Sequence, residues 1–147
     1  MGKVLAWGAL FVIIGAAAFG WLGLVRFQDH GSAAQLALGA RLYAERCASC
    51  HGAKLGGQPN WQEALSNGRM PAPPHDATGH TWHHSDEELF TITKKGLAAI
   101  VPGYESDMPA FEGLLSDDEI QAILAFIKST WPATEREYQQ ARNRPGR

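Results

Sequence analysis

The chain has two cysteines, Cys47 and Cys50, and a histidine, His51, directly follows the second. A disulfide scaffold usually spreads its cysteines along a sequence, so two thiols at this spacing point to metal or cofactor chemistry. Cys47-Ala48-Ser49-Cys50-His51 has the form of a haem c attachment motif. Thiols so placed can add to the two vinyl groups on one edge of a porphyrin, and the adjacent imidazole can reach the iron. A thioredoxin-like redox pair needs a surrounding βαβ pattern, which the sequence does not offer. Half of a zinc site needs two further ligands, and there is no second cysteine pair. The motif therefore predicts one haem c, attached through Cys47 and Cys50, with His51 as an axial iron ligand.

The sixth ligand must come from elsewhere in the chain. Three methionines exist: Met1 starts the chain, Met70 follows Gly68-Arg69, and Met108 lies in Asp107-Met108-Pro109-Ala110-Phe111. A thioether is a soft, neutral ligand, and His/Met ligation raises the potential relative to His/His. Met108 comes 57 residues after His51, just ahead of the last strong helical pattern. That separation leaves enough chain to wrap a haem and approach it from the other side. Met70 is too near His51 and reads as loop packing over the haem edge. The expected iron ligands are thus His51 and Met108. With both axial positions filled, oxygen or peroxide has no open site, and the chemistry is one-electron transfer with no catalytic residue.

Four of the six histidines, His75, His80, His83 and His84, fall close together. Imidazole suits copper and zinc, so a second metal site is one reading of this loop. Helix capping, propionate bonding or simple solvation is the other. Trp61 and Trp82 are candidates to bond a haem propionate through the indole N–H, or to be buried against the macrocycle.

Helices must position these groups. Ser32 is an N-cap for Ala33 to Arg46, which leads straight into the motif. Ser85 with Glu88, and Ser116 with Glu119, are capping boxes for two later helices. Gly96 stops the first of these, and Pro132 closes the second. The apolar face of the last strong helix is Ile120, Ile123, Leu124, Phe126, Ile127 and Trp131. The Gly/Pro-rich stretch from Gly52 to about His84 predicts loops and short helices. No strand pattern or internal repeat is evident. Residues 133–147 form a polar tail with four arginines and two glutamates, helical near Glu135 to Ala141.

The N-terminus is different in kind. Val4 to Val25 is a run of 22 residues without a charge or strongly polar side chain. As a helix it reaches roughly 33 Å, enough for a hydrocarbon core of about 30 Å. Lys3 would stay inside, placing everything after Arg26 on the outer face. A cleaved signal peptide is the competing reading, with an Ala16-Ala17-Ala18 cleavage site, but the apolar run continues well beyond it. The expected layout is an uncleaved membrane anchor at 1–26, a linker at 27–32, the haem domain at 33–132 and the tail at 133–147. From residue 27 onward there are 11 bases against all 15 acids, so nucleic acid is not an expected partner.

The stretch from Gly39 to Trp131, roughly two-thirds of the chain, resembles a class I cytochrome c, the small His/Met family. Gly39 to Arg46 resembles that family's first helix, Met108-Pro109-Ala110-Phe111 its methionine loop, and Ala125-Phe126-Ile127-Lys128 its last helix. The resemblance implies an all-α fold whose first and last helices cross, with Gly39 permitting close approach and Phe126 packed upon it. It further implies that a loop proline carbonyl orients His51. Pro71, Pro73 and Pro74 are the candidates, and the sequence does not choose among them. The combined expectation is a class I cytochrome c fold preceded by one N-terminal transmembrane helix. It would sit in the inner (plasma) membrane with its haem on the periplasmic side, exchanging electrons with membrane-bound redox complexes. The rivals are a haem subunit of a peroxidase or oxidase, and a copper-handling cytochrome using the histidine loop.

Overall fold

Three serines set where the main helices begin in the computed structural model, which describes residues 31–144. Ser32 Oγ accepts from the Gln35 amide and opens α1, Ala33–Arg46. Cys47 caps α1 and begins the short α2, Ala48–His51, so the attachment motif is an extension of the first helix. A long connection follows, broken by a 3-10 turn at Thr81–His83. Ser85 and Glu88 cap each other reciprocally at the start of α3, Asp86–Lys95, and Gly96 ends it at φ 85°. A second 3-10 turn, Leu97–Ala99, precedes the loop that carries Met108. Ser116 and Glu119 repeat the reciprocal cap at α4, Asp117–Ser129. Each box satisfies amides that a bare helix start leaves without partners.

These elements make the helical domain that the pattern predicts. Among the described residues the one β feature is an isolated bridge between Glu112 and Leu115. The core is built chiefly from Leu42 and Tyr43 of α1 and Ile120, Ile123 and Ile127 of α4, with Trp131 just beyond it. Removing each of these large apolar side chains from water contributes about 1.5–3 kcal/mol.

α1 and α4 meet where Gly39 faces Ala122, which is completely buried. A Cβ at position 39 would overlap the Ala122 carbonyl oxygen and stand 2.6 Å from its carbon and 2.9 Å from Phe126 Cβ. The first obstacle is therefore backbone, which cannot rotate away. Phe126 packs on the other side of the contact, its ring centroid 5.6 Å from that of Tyr43. The apolar stripe read from the sequence omitted Ala122, because a small residue at a crossing contributes proximity and not bulk.

The segment after Pro132 is more than a tail. It forms α5, Ala133–Arg142, and Gln139 within it is completely buried. Gln139 Nε2 donates to Asp86 Oδ1 at 2.7 Å, and Asn143 Nδ2 donates to Asp86 Oδ2 at 2.9 Å. Lys128 of α4 also reaches Asp86, at 2.6 Å. One carboxylate at the start of α3 thus gathers α4, α5 and the residue after α5. A single polar side chain in a helix of low hydrophobicity gives no periodic signal, so this docking was not legible as a core contact.

The expected anchor at 1–26 and most of the linker lie outside the described residues. Among those that are described, no helix is long and apolar enough to cross a membrane.

Because position 39 has no room for one methyl group, Gly39→Val should destabilise the haem-loaded domain by at least about 2 kcal/mol through overpacking. Denaturant unfolding of the two proteins measures this. A variant that unfolds with the wild type would show that the α1–α4 contact is not tight.

Candidate functional site

Cys47 and Cys50 come from the α1–α2 junction, and no disulfide joins them. Cys47 packs against the apolar core, whereas Cys50 is exposed. Burial, and then the neighbouring Cys50, push the Cys47 thiol up to about 11.

His51 is buried at the end of α2. Its Nδ1 lies 2.8 Å from the Pro73 carbonyl oxygen. A carbonyl only accepts, so Nδ1 carries the proton and donates, and the lone pair is left on Nε2. Burial lowers the His51 pKa, and the bond to Pro73 opposes this in part. The imidazole is thus neutral, oriented, and offers one nitrogen as a ligand. This settles which proline faces His51: Pro73, and neither Pro71 nor Pro74.

Pro73 is held in place by the loop before it. The segment 71–75 lies along 55–58, with Gln58 N donating to Ala72 O at 2.9 Å and His75 N to Leu55 O at 2.7 Å. Gly57 permits this approach: its φ is +69°, and a Cβ there would stand 2.7 Å from Pro73 C. The Gly57 amide in turn donates to His51 O at 2.8 Å, closing the loop on the motif. Tyr43 Oη donates to Gly52 O at 3.0 Å, tying α1 to the same turn.

The four histidines of the middle loop do not converge. His75 turns inward and stacks on His51, with ring centroids 4.0 Å apart and an interplanar angle of 22°. His80 stacks on Trp61 at 5.3 Å, and His83 lies on Trp82 at 3.8 Å. His84 sits by Glu88, its Nδ1 3.8 Å from Oε2. Among the described residues no group of three or more His, Cys, Asp or Glu side chains is placed to hold a metal ion. His80 also stands edge-on to His84, centroids 5.5 Å apart, so of the two readings of this loop the contacts favour stacking and capping over a second metal site. Burial, and then the nearby His51 and His80, push the His75 pKa down to about 3, so it is a neutral group.

Met108 is half-buried and packs against the same core as Cys47 and Trp82. Met70 is 38% exposed. The Met108 loop is fixed at its end by Phe111 N donating to Thr93 O at 3.1 Å and Glu112 N to Lys94 O at 2.9 Å. At its start the Arg69 guanidinium pairs with Asp107 and, at 3.6 Å, with Glu105. Arg69 therefore joins the loop leading to Pro73 to the loop carrying Met108.

Trp82 supplies an independent test of whether a haem fits. Its Nε1 is buried and has no hydrogen-bond partner among the described residues. An unmade bond of this kind costs about 1–3 kcal/mol, so a buried indole N–H implies an acceptor. A haem propionate, carried on the edge of the macrocycle away from the thioether bonds, is an acceptor of this kind. Trp61, the other indole candidate, stacks on His80 through its ring face. The signal that could have placed His75 was the proline run before it: Pro73 and Pro74 enforce extended backbone, in which residues two apart share a face.

The sequence matches, over residues 34–127, the family described as cytochrome c oxidase, cbb3-type, subunit III. It is 31% identical over 94 residues to cytochrome c6 of Leptolyngbya boryana, a match covering 64% of this chain and 91% of that protein. It is 30% identical over 107 residues to the cbb3-type cytochrome c oxidase subunit FixP of Bradyrhizobium sp. (strain ORS 278). That match covers 73% of this chain and 30% of the relative. No solved structure matches. The motif, the oriented histidine, the orphaned indole and these relationships agree: the chain belongs to the c-type cytochrome family described as cytochrome c oxidase, cbb3-type, subunit III, is related to cytochrome c6, and carries one haem c bound through Cys47 and Cys50.

Proposed function

We propose that this cytochrome is a membrane-tethered electron carrier, ligated by His51 and Met108, that passes single electrons between membrane-bound redox complexes on the periplasmic side. The observation that carries the ligand assignment is the Pro73 bond to His51 Nδ1, which leaves Nε2 as the coordinating nitrogen. The haem supplies a reversible Fe(III)/Fe(II) couple. The chain orients the imidazole, presents a thioether from a loop anchored at both ends, and surrounds the group with apolar side chains that keep water from it. Met108 is favoured over Met70 because it borders the core that also receives Cys47.

The tether rests on the sequence. Val4 to Val25 is long enough to span a bilayer, and only a half-dozen residues separate it from the Ser32 cap. Even fully extended at about 3.3–3.6 Å per residue, such a linker allows only some 20 Å of reach. A carrier so held serves partners in the same membrane or docked at its surface. The excess of acids over bases after residue 26 suits a partner with a basic docking face, which mainly speeds encounter. A second reading, in which the chain acts as a haem subunit within an oxidase complex, is favoured by its relationship to FixP.

Met108→Ala should abolish the weak sulfur-to-iron charge-transfer band of the oxidised protein and lower its potential, whereas Met70→Ala should keep both. The reverse pattern would overturn the ligand assignment. For the tether, a form beginning at Gln28 and exported with a cleavable signal should keep its haem and potential yet support respiratory electron flow poorly at native abundance. If that soluble form works as well as the full chain, the apolar segment serves only export.

A further inference from the structure

His75 has no role in holding the haem, yet it is among the most constrained side chains near the site. Its ring lies almost flat on His51 at 4.0 Å, and Tyr43 stands edge-on to it, centroids 6.1 Å apart. Its backbone is fixed on both sides: the amide donates to Leu55 O at 2.7 Å, and Trp131 Nε1 donates to its carbonyl at 2.7 Å. Its Nδ1 is 2.8 Å from Thr81 Oγ1, and Thr81 is buried. The Thr81 hydroxyl lies 3.3 Å from the Pro74 carbonyl oxygen and donates to it. Thr81 Oγ1 thus bridges the His75 ring and the Pro74 carbonyl and holds the imidazole by its Nδ1 edge.

This geometry matters because one hydrogen bond does not fix a ring. A carbonyl accepts over a broad range of directions, so the Pro73 bond alone leaves the His51 plane free to turn through a wide angle. A flat neighbour restrains the ring along the direction in which the hydrogen bond is soft. We propose that His75 is a positioning residue for His51: held by Thr81, it lies against the imidazole face and, together with Pro73, fixes the rotation of the ring about its iron-binding nitrogen. This rests on the reading of His51 as an axial ligand. The orientation of an axial imidazole governs how unpaired spin spreads over the porphyrin, a quantity distinct from stability.

The test uses the ferric holoprotein, comparing the spread of the four haem methyl resonances and the g-anisotropy of the low-spin EPR signal. Thr81→Val, nearly isosteric, should change both, His75→Ala should change both further, and Thr81→Ser should retain the wild-type pattern. Loss of stability without reorientation would move neither spectrum at low temperature. A wild-type pattern in Thr81→Val, or the same altered pattern in Thr81→Val and Thr81→Ser, would overturn the proposal. Should His75→Ala fail to assemble with haem, the two Thr81 variants still decide. If the wild-type protein itself lacks a histidine-ligated low-spin signal, the ligand assignment fails first, and that failure is seen before any variant is compared.

Discussion

The fold depends on a backbone contact, Gly39 against the Ala122 carbonyl, at which a single added methyl group on α1 would run into the backbone of α4. α1 runs directly into Cys47, Cys50 and His51, so the position of the motif is set by where α1 lies. α4 leads to Trp131, whose indole holds the carbonyl of His75 behind the His51 ring. Both sides of His51 therefore trace back to one crossing. A residue larger than glycine at 39 would displace the motif from the loop that orients it, as well as loosening the core.

Around His51 the constraints come from different directions and do not duplicate one another. Pro73 fixes the tautomer, Gly57 admits Pro73 and Pro74, and the Gly57 amide returns to His51 O. Two buried neighbours of the site, His51 and His75, resist protonation because burial disfavours their charged forms. An electron carrier gains from this rigidity, since little has to rearrange when the charge on the metal changes. Arg69 extends the same logic across the site by pairing with Glu105 and Asp107 next to Met108. Such exposed pairs are screened by solvent, so their effect is on loop position more than on overall stability.

What could be read from the sequence was local or covalent in origin. Ser32, Ser85 and Ser116 act on amides three residues away, and all three helix starts were legible for that reason. The haem attachment motif is contiguous and has few other uses. By contrast, the choice of Pro73 depends on a partner 22 residues distant, and the inward turn of His75 on Trp131, 56 residues distant. Nothing in the types of four neighbouring histidines says that one faces the core while another lies on a half-buried tryptophan. The docking of α5 escaped notice because a glutamine and an asparagine achieve it by converging on Asp86.

If this chain moves electrons through a haem whose two axial positions are both occupied by its own side chains, neither position is open to a small ligand. Carbon monoxide tests that most directly, because it binds ferrous haem only where an axial position is open. The reduced full-length protein, exposed to carbon monoxide at neutral pH without denaturant, should keep its spectrum unchanged. A prompt shift to a carbon monoxide complex would contradict the account and favour an enzyme with an open sixth position.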